Sequence, residues 1–542
     1  MGQRIVLVCL LALLAVGVDA QQQKSKKSTK KLTKQYVNYV KNKNRDKGKE
    51  KLARKKASDP ATVTRDSLEN EQPKTMQDEY EAFKRKAQRD YENFRDQANV
   101  EYAEFVRKAW KEFGAEPPVP KPIEEEVPPV VIPEEDRQEP VKDRPLPIKL
   151  EPVTPPAPPM PQPVPVAPIK DIPLPVVEER TVPFEFYGTG MKVRFDEGEH
   201  FRLAGVDNNS IADAWVKLSG PAYNNTIRDC IELRIRKQLS DWAYLKMLQK
   251  MAEVCLGKTN EATLLMAYIY CQTGYKMRLG KSEGRLFMLY ASRHTIFNKA
   301  YFKLDGEQFY PLDCEAGPMS ICEAGFPQEQ PLSLLVSKEQ LFAYEKSTER
   351  TLKSRDYPAV EVKSYVNKNA IDFYNAYPTS MTGDNVLTRW AMYANAPLGS
   401  SEKENLLTQL REKTKDYDQL GTMERLLNWV QTAFVYEYDD KVWGGDRAFF
   451  PEETLYYPYC DCEDRSILLS RLVRDLLGLK CILVFYPGHL AMAVHFTDEV
   501  QGDYIMLDGE KYIVCDPTYI GAPVGKTMPR MDNASAQVIL LE

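Results

Sequence analysis

Apolar positions recur with two different periods in the C-terminal part of the chain. In "CEDRSILLSRLVRDLLGL", residues 462–479, they fall three and four apart, the spacing of one helix face. The run closes at Gly478, the usual glycine position after a helix end. "CILVFYPGHLAMAVHF" then reads as two short strands broken by Pro487-Gly488, and "YIMLDGEKYIVCD" as a hairpin around Asp508-Gly509. A helix followed by antiparallel strands predicts an α+β unit with the helix packed on the sheet.

The same pattern occurs twice. "YFKLDGE" (301–307) matches "YIMLDGE" (504–510), and both hairpins end on aspartate, Asp313 and Asp516. Upstream, a constant offset of 204 brings Leu264 and Leu265 onto Leu468 and Leu469. It also brings Gly274 onto Gly478, Gly284 onto Gly488 and Met288 onto Met492. "DAWVKLSGP" resembles "TRWAMYANAP" further upstream, at an offset of 175 rather than 204, which sets Trp215 beside Trp390 and gives the second copy roughly thirty extra residues. A fixed offset ending on one turn phrase predicts a duplicated domain, with copies at 181–355 and 356–542.

The segments before 181 follow other patterns. From 78 to 113, Tyr80, Tyr91 and Tyr102 recur every eleven residues, as do Phe83, Phe94 and Phe105, and Ala87, Ala98 and Ala109. Eleven residues in three turns keep them on one face, so 75–115 predicts a long amphipathic helix stopped by Gly114 and Pro117. Its stripe needs a partner: a twin in a coiled coil, the preferred reading, or the globular part, or a membrane interface. Residues 116–180 are Pro-rich and predict a semi-rigid extended linker. Residues 21–74 predict a disordered basic segment, whose dense Lys and Arg between 24 and 56 meet only Asp46 and Glu50. It reads as a solvated tail or a tether to an anionic envelope surface. Nucleic acid is not expected, because no stacking-aromatic pattern accompanies the charge.

Composition adds a compartment. Residues 1–20 carry Arg4, an apolar run from Ile5 to Val16 and a "VDA" end, the pattern of a cleaved signal peptide rather than an anchor. The expected location is secreted, periplasmic or cell-envelope. Ten cysteines, less Cys9, leave nine, so at least one thiol is free or paired between chains. The net charge of -5 conceals the basic tail.

The two copies differ where chemistry would sit. Cys462 stands at the start of the second helix, where the helix dipole favours thiolate. The constant offset sets Lys258 against it. His489 begins a strand after Pro487-Gly488, and Arg285 stands at that place in the first copy. Aspartate persists in both. Cys, His and Asp suit nucleophilic acyl chemistry: imidazole takes the thiol proton, and carboxylate fixes the imidazole. Cys460 is free to pair with Cys481 or Cys515. A metal reading of Cys460 and Cys462 with Cys481 and His489 fits no standard zinc spacing, and no metal or cofactor is expected. His495 lies six residues from His489, roughly 20 Å along a strand at about 3.3 Å per residue, and reads as structural. Glu463 and Asp464 read as helix-start acids.

The order "YCDCEDRSILLSRLVRDLLGLKC", "YPGHLAMAVHF" and "YIVCDPTY" resembles the transglutaminase-like superfamily over roughly 450–520, with a degenerate echo at 250–314. The resemblance implies a papain-like core in each copy and a catalytic Cys462, His489 and Asp516. It departs where Leu490, Ala491 and Met492 follow the histidine, a place where many members carry an aromatic. The expected activity is that of a cysteine peptidase or amidase acting on a peptide or protein substrate. The alternatives are a crosslinking acyltransferase and a non-catalytic envelope binding protein with a relic triad.

Overall fold

Prolines in the N-terminal half leave few backbone donors, and those few decide where that segment goes. The computed structural model describes residues 76–123, 126–148, 152–153, 180–195, 198, 200–315 and 317–542. The signal peptide, the basic segment and most of 149–180 lie outside the described residues.

Helix α1 (Met76–Lys108) leads into strand β1 (Trp110–Phe113), then β2 (Val130–Val131), the single turn α2 (Glu134–Arg137) and β3 (Arg144–Pro145). The hairpin β4 (Thr181–Phe186) and β5 (Thr189–Arg194) opens the globular part. Helices α3 (Asn208–Leu218), α4 (Asn224–Arg236), α5 (Asp241–Leu256) and α6 (Asn260–Gln272) follow. Then come β6 (Met277–Ser282), β7 (Arg285–Ala291), β8 (His294–Ile296), β9 (Phe302–Leu304), β10 (Glu307–Pro311) and β11 (Met319–Cys322). A second hairpin, β12 (Arg350–Lys353) and β13 (Glu361–Ser364), straddles the expected boundary at 355/356. Helix α7 (Lys368–Asn375), strand β14 (Ser380–Thr382) and helices α8 (Thr388–Asn395), α9 (Ser400–Thr414) and α10 (Gln419–Ala433) come next. Strand β15 (Val435–Tyr436), helices α11 (Asp439–Val442) and α12 (Pro451–Tyr456), and strand β16 (Tyr459–Cys460) precede helix α13 (Cys462–Leu472). It runs into a π-helical turn (Val473–Leu477). Strands β17 (Lys480–Tyr486), β18 (His489–His495), β19 (Asp503–Leu507), β20 (Glu510–Cys515), β21 (Tyr519–Ile520) and β22 (Gln537–Leu540) complete the chain.

The fold is mixed α+β with largely antiparallel sheets, as expected. Two six-stranded sheets share one strand order. The first runs β1-β11-β6-β7-β10-β9, the second β22-β17-β18-β20-β19-β3. Apart from β1 and β3 at the edges, the five remaining strands correspond in order. Both Asp-Gly hairpins close through positive φ at both turn residues: Asp305 at 51° and Gly306 at 82°, Asp508 at 50° and Gly509 at 83°. That geometry matches the right-handed strand twist, so the repeated phrase is a turn phrase. Trp215 on α3 and Trp390 on α8 are both buried, and their helices pack on α6 and α13 respectively.

Helix α1 ends earlier than expected, at Lys108, because Trp110–Phe113 pairs antiparallel with β11 and extends the sheet. Its buried face here is Arg95, Ala98, Asn99, Tyr102, Ala103 and Val106, while Phe94 and Phe105 stay exposed. Asn99 Oδ1 accepts from Trp215 Nε1 at 3.0 Å, and Asn99 Nδ2 donates to Gln272 at 3.0 Å. This part of the stripe thus packs on the first sheet's helices. The side chains of Tyr80, Phe83, Ala87 and Tyr91 lie outside the described residues.

The Pro-rich segment departs most from its reading as a spacer. Its non-proline N–H groups donate to edges of the second sheet and its loops: Val127 to Gly488 O, Ile132 to Ile520 O, Arg144 to Gly502 O and Leu146 to Tyr504 O. Chain this rich in proline cannot satisfy its own backbone, and exposed edges accept what donors it has. Residues 126–148 form a strap, with Leu146 and Ile148 buried against the outer face of that sheet. No helix among the described residues is long and apolar enough to cross a membrane.

Candidate active site

Cys462 is the first residue of α13. Asp461 caps the helix and accepts from Asp464 N, while Asp464 accepts from Asp461 N, each at 3.4 Å, a reciprocal capping box. Asp464 also accepts from Phe449 N at 2.8 Å. These two acids therefore hold the helix start. Glu463 has another role than the sequence suggested: it accepts the Cys462 thiol at 3.2 Å.

His489 opens β18 directly after Gly488, whose φ of 75° the turn requires. Its Nε2 lies 2.9 Å from Asp516 Oδ2, and its ring stacks on Tyr486. The other oxygen of Asp516 accepts from Thr518 N at 2.8 Å and Tyr519 N at 3.2 Å. His489 Nδ1 is buried and has no hydrogen-bond partner. Cys462 and His489 line one cleft, together with Glu126, Arg389, Trp390 and Asp446. The three predicted residues are thus brought to one place. The Asp–His bond is formed, and the thiol is bonded to Glu463 rather than to the imidazole.

The thiol is not activated in this arrangement. Burial, then Glu463 and Asp461, push Cys462 well above the ordinary thiol value, opposed by the Leu490 backbone N–H. The sequence expectation of a favoured thiolate is therefore corrected. A helix start contributes about 0.3–1 kcal/mol at an exposed site, less than full desolvation beside carboxylates costs. Those carboxylates belong to a largely buried group in which Asp446 is half-buried. Ligand atoms of Asp439, Asp446 and Glu463, of Asp439, Asp461 and Asp464, and of Asp461, Cys462 and Glu463 lie within 4.8 Å in each trio. Burial, followed by the charge of Glu463, raises Asp439 to about 8 and Glu126 to about 7.

Several positioning residues escaped the sequence reading. Ser466 Oγ donates to Leu490 O at 2.8 Å and ties the cysteine helix to the histidine strand. Gln431 Nε2 donates to the carbonyls of Asp516, Tyr519 and Ala522, and Gly521 N donates back to Gln431 Oε1, which pins the aspartate loop. Arg465, fully buried, donates to the carbonyls of Gln431, Phe434 and Pro517. Their one signal in the sequence is a polar residue inside an apolar helical run. His495 bonds Lys511 O at 3.0 Å, away from the cleft, as its structural reading required. No disulfide forms among the described residues: Cys460, Cys481 and Cys515 are free thiols, so the pairings left open above are not made.

The first sheet's version of the site differs. Asn260, not Lys258, is the first residue of α6, and its Oδ1 accepts from Leu286 N at 2.9 Å. Leu286 matches Leu490, whose N–H meets the Cys462 sulfur, so Asn260 takes the cysteine's place. The π-helical turn after α13 accommodates extra chain before Gly478, and a constant offset counted back from that glycine slips at the helix start. Arg285 opens β7 and is exposed, and Asp313 pairs with Lys246 at 2.7 Å. A cleft of about 650 Å³ lies there, lined by Lys258, Asn260, Arg285 and Asp313. The cleft at Cys462 holds about 20 Å³.

Compared with known proteins, the chain matches no family model, no curated protein and no solved structure.

Proposed function

We propose that the second sheet carries a thiol acyl enzyme of the transglutaminase-like kind on a papain-like core, and that the first sheet carries a degenerate copy. The Cys462 sulfur attacks the carbonyl carbon of a peptide or glutamine-type amide. His489, through Nδ1, takes the thiol proton and gives it to the departing amine or ammonia. Water then attacks the thioester, releasing the carboxylic acid and restoring the thiol. Asp516 holds the imidazole orientation and offsets its positive charge. Hydrolysis is preferred to crosslinking because nothing at the site selects an amine. The signal-like N-terminus supports a site of action in the envelope or outside the cell, and the basic segment suits an anionic surface there.

The observation that carries this reading is the buried His489–Asp516 pair at 2.9 Å with Nδ1 left unpartnered, lining one cleft with a helix-start cysteine. The test uses full-length protein with residues 126–132 replaced by Gly and Ser, so that the cleft is open. It is incubated with a glutaminyl peptide amide, quenched in acid and weighed intact. An acyl adduct on Cys462 with ammonia release, both lost in His489→Ala, is expected. Neither adduct nor ammonia would contradict the reading.

Two observations favour a second reading. The Cys462–Glu463 bond and the raised thiol suit a binding or scaffold protein with a relic triad. That reading predicts no adduct under the same conditions.

A further inference from the structure

The strap crosses the candidate site at its most sensitive point. Val127 N donates to Gly488 O at 2.8 Å, on the residue immediately before His489. Glu126, one residue back, lines the cleft with Cys462 and His489 and accepts from Tyr436 Oη at 3.3 Å. Further on, Val130–Val131 runs parallel to Tyr519–Ile520, just after the loop that holds Asp516. Ile132 is buried against Tyr519, Ala522 and Met528. Residues 126–132 therefore run from the thiol side of the histidine to the loop of the aspartate. Pro128 and Pro129 keep this stretch extended.

What remains beneath is about 20 Å³, room for little more than one water. The equivalent cleft of the first sheet, about 650 Å³, shows the space this architecture leaves when no such chain from among the described residues lies in it. The strap is fastened on both sides of the crossing. Lys121 pairs with Asp446 at 3.2 Å, Asp143 with Lys511 at 2.7 Å, and Arg144 Nε donates to Asp503 at 2.6 Å.

We propose that residues 126–132 lie, in cis, on the track a substrate polypeptide would use, so that this chain is held closed by its own pseudosubstrate. The inference rests on the thiol acyl reading of Cys462. It gives the partner a form: an extended segment whose backbone N–H meets Gly488 O. One side chain enters the thiol cleft where Glu126 now sits. Glu126 in that cleft shields the thiol, so the catalytic group is at rest until the strap leaves. The raised pKa of Glu126, caused first by burial and then by Glu463, agrees with a carboxyl that holds its proton more tightly in an acid-lined cleft, where an uncharged side chain of similar shape sits better.

The test measures Cys462 alkylation by iodoacetamide at pH 7, followed by peptide mass spectrometry, on full-length protein. Wild type is compared with the variant carrying Gly and Ser at 126–132, and with Glu126→Ala, which leaves every backbone contact in place. Circular dichroism confirms that each is folded. Replacement should raise the rate at least about tenfold, because labelling follows the fraction of molecules with an open cleft. Glu126→Ala should raise it less. A synthetic peptide of residues 121–133 added in trans should restore slow labelling, and the same peptide with Ala at 126 should restore it more weakly. Equal rates in wild type and both variants would overturn the proposal, as would a raised rate that the peptide leaves untouched. Fast, peptide-protected labelling without any acyl adduct from a glutaminyl peptide would support the strap as a plug and remove the enzyme reading, so the two fail separately.

Discussion

The two sheets share a strand order and a turn phrase but treat their clefts in opposite ways. The first keeps a wide cleft lined by Asn260, Arg285, Asp313 and Cys314, with no thiol at the helix start. The second keeps cysteine, histidine and aspartate at the corresponding element ends and leaves almost no room above them. The lesson is that the reactive set and the open space have been separated. Where the residues suit acyl chemistry, chain from elsewhere fills the cleft. Where the cleft is open, the helix start holds Asn260 in place of the cysteine.

The largest expected effect breaks the symmetry of the persistent aspartates. With the cleft opened, His489→Ala should lower acylation by a glutaminyl peptide about 10²–10⁴-fold, the usual contribution of a positioned base. Asp516→Asn should also lower it, because the imidazole loses its fixed orientation. Asp313→Asn, in the first sheet, should leave the rate unchanged. A comparable loss from Asp313→Asn would mean the two sheets share one site.

The second prediction concerns packing that both sheets share. Trp215→Ala and Trp390→Ala should each cost about 3–5 kcal/mol in urea unfolding, as buried aromatic truncations do. Trp215 also donates to Asn99 on α1, so its loss should loosen that helix, seen as faster amide exchange around residues 98–106. Equal exchange in the two variants would contradict the packing described for α1.

Much of this was legible before the structure, and the failures have identifiable causes. Period-two strands and Asp-Gly turns fixed both hairpins, because turn residues with positive φ and alternating apolar positions leave little choice. That Cys462, His489 and Asp516 would lie close together was legible because each sits at an element end. Lys258 was set opposite Cys462 because a π-helical turn is invisible to a constant offset. The strap was read as a linker because proline density announces an extended chain and says nothing of which edge will accept its few N–H groups. Glu463 was read as a helix-start acid because its bond to the thiol depends on a buried acid cluster assembled from α11, α13 and the loop at Asp446.

Smaller effects sharpen the comparison around the thiol. Glu463 follows burial as the largest cause of the raised Cys462 thiol, so Glu463→Gln should lower that pKa. The onset of alkylation in the cleft-open protein should then move to lower pH, and an unmoved onset would remove Glu463 from the account. The smallest expected effect is the pH dependence of strap docking. Glu126 is raised to about 7 when docked, against about 4.3 for a free glutamate. The docked strap therefore binds the proton more tightly than the free one, and docking is strongest in acid. It weakens as pH rises from about 4.3 through about 7, and the full cost is present above that. Glu463, Asp446 and Asp440 face this carboxyl and each opposes its ionisation. Tyr436, which donates to it, keeps its proton throughout. In Glu126→Gln the rise of wild-type alkylation between pH 5 and 8 should be shallower. An identical slope would place the titration elsewhere.

The central claim is that Cys462 and His489 form a working pair once the strap is off. The most direct measurement is the pH profile of Cys462 alkylation in full-length protein with residues 126–132 replaced, with and without His489→Ala. The account predicts a reactive plateau extending below the ordinary thiol pKa of about 8.5 in the first protein and its loss in the second. Superimposable profiles that rise only at or above about 8.5 would contradict it.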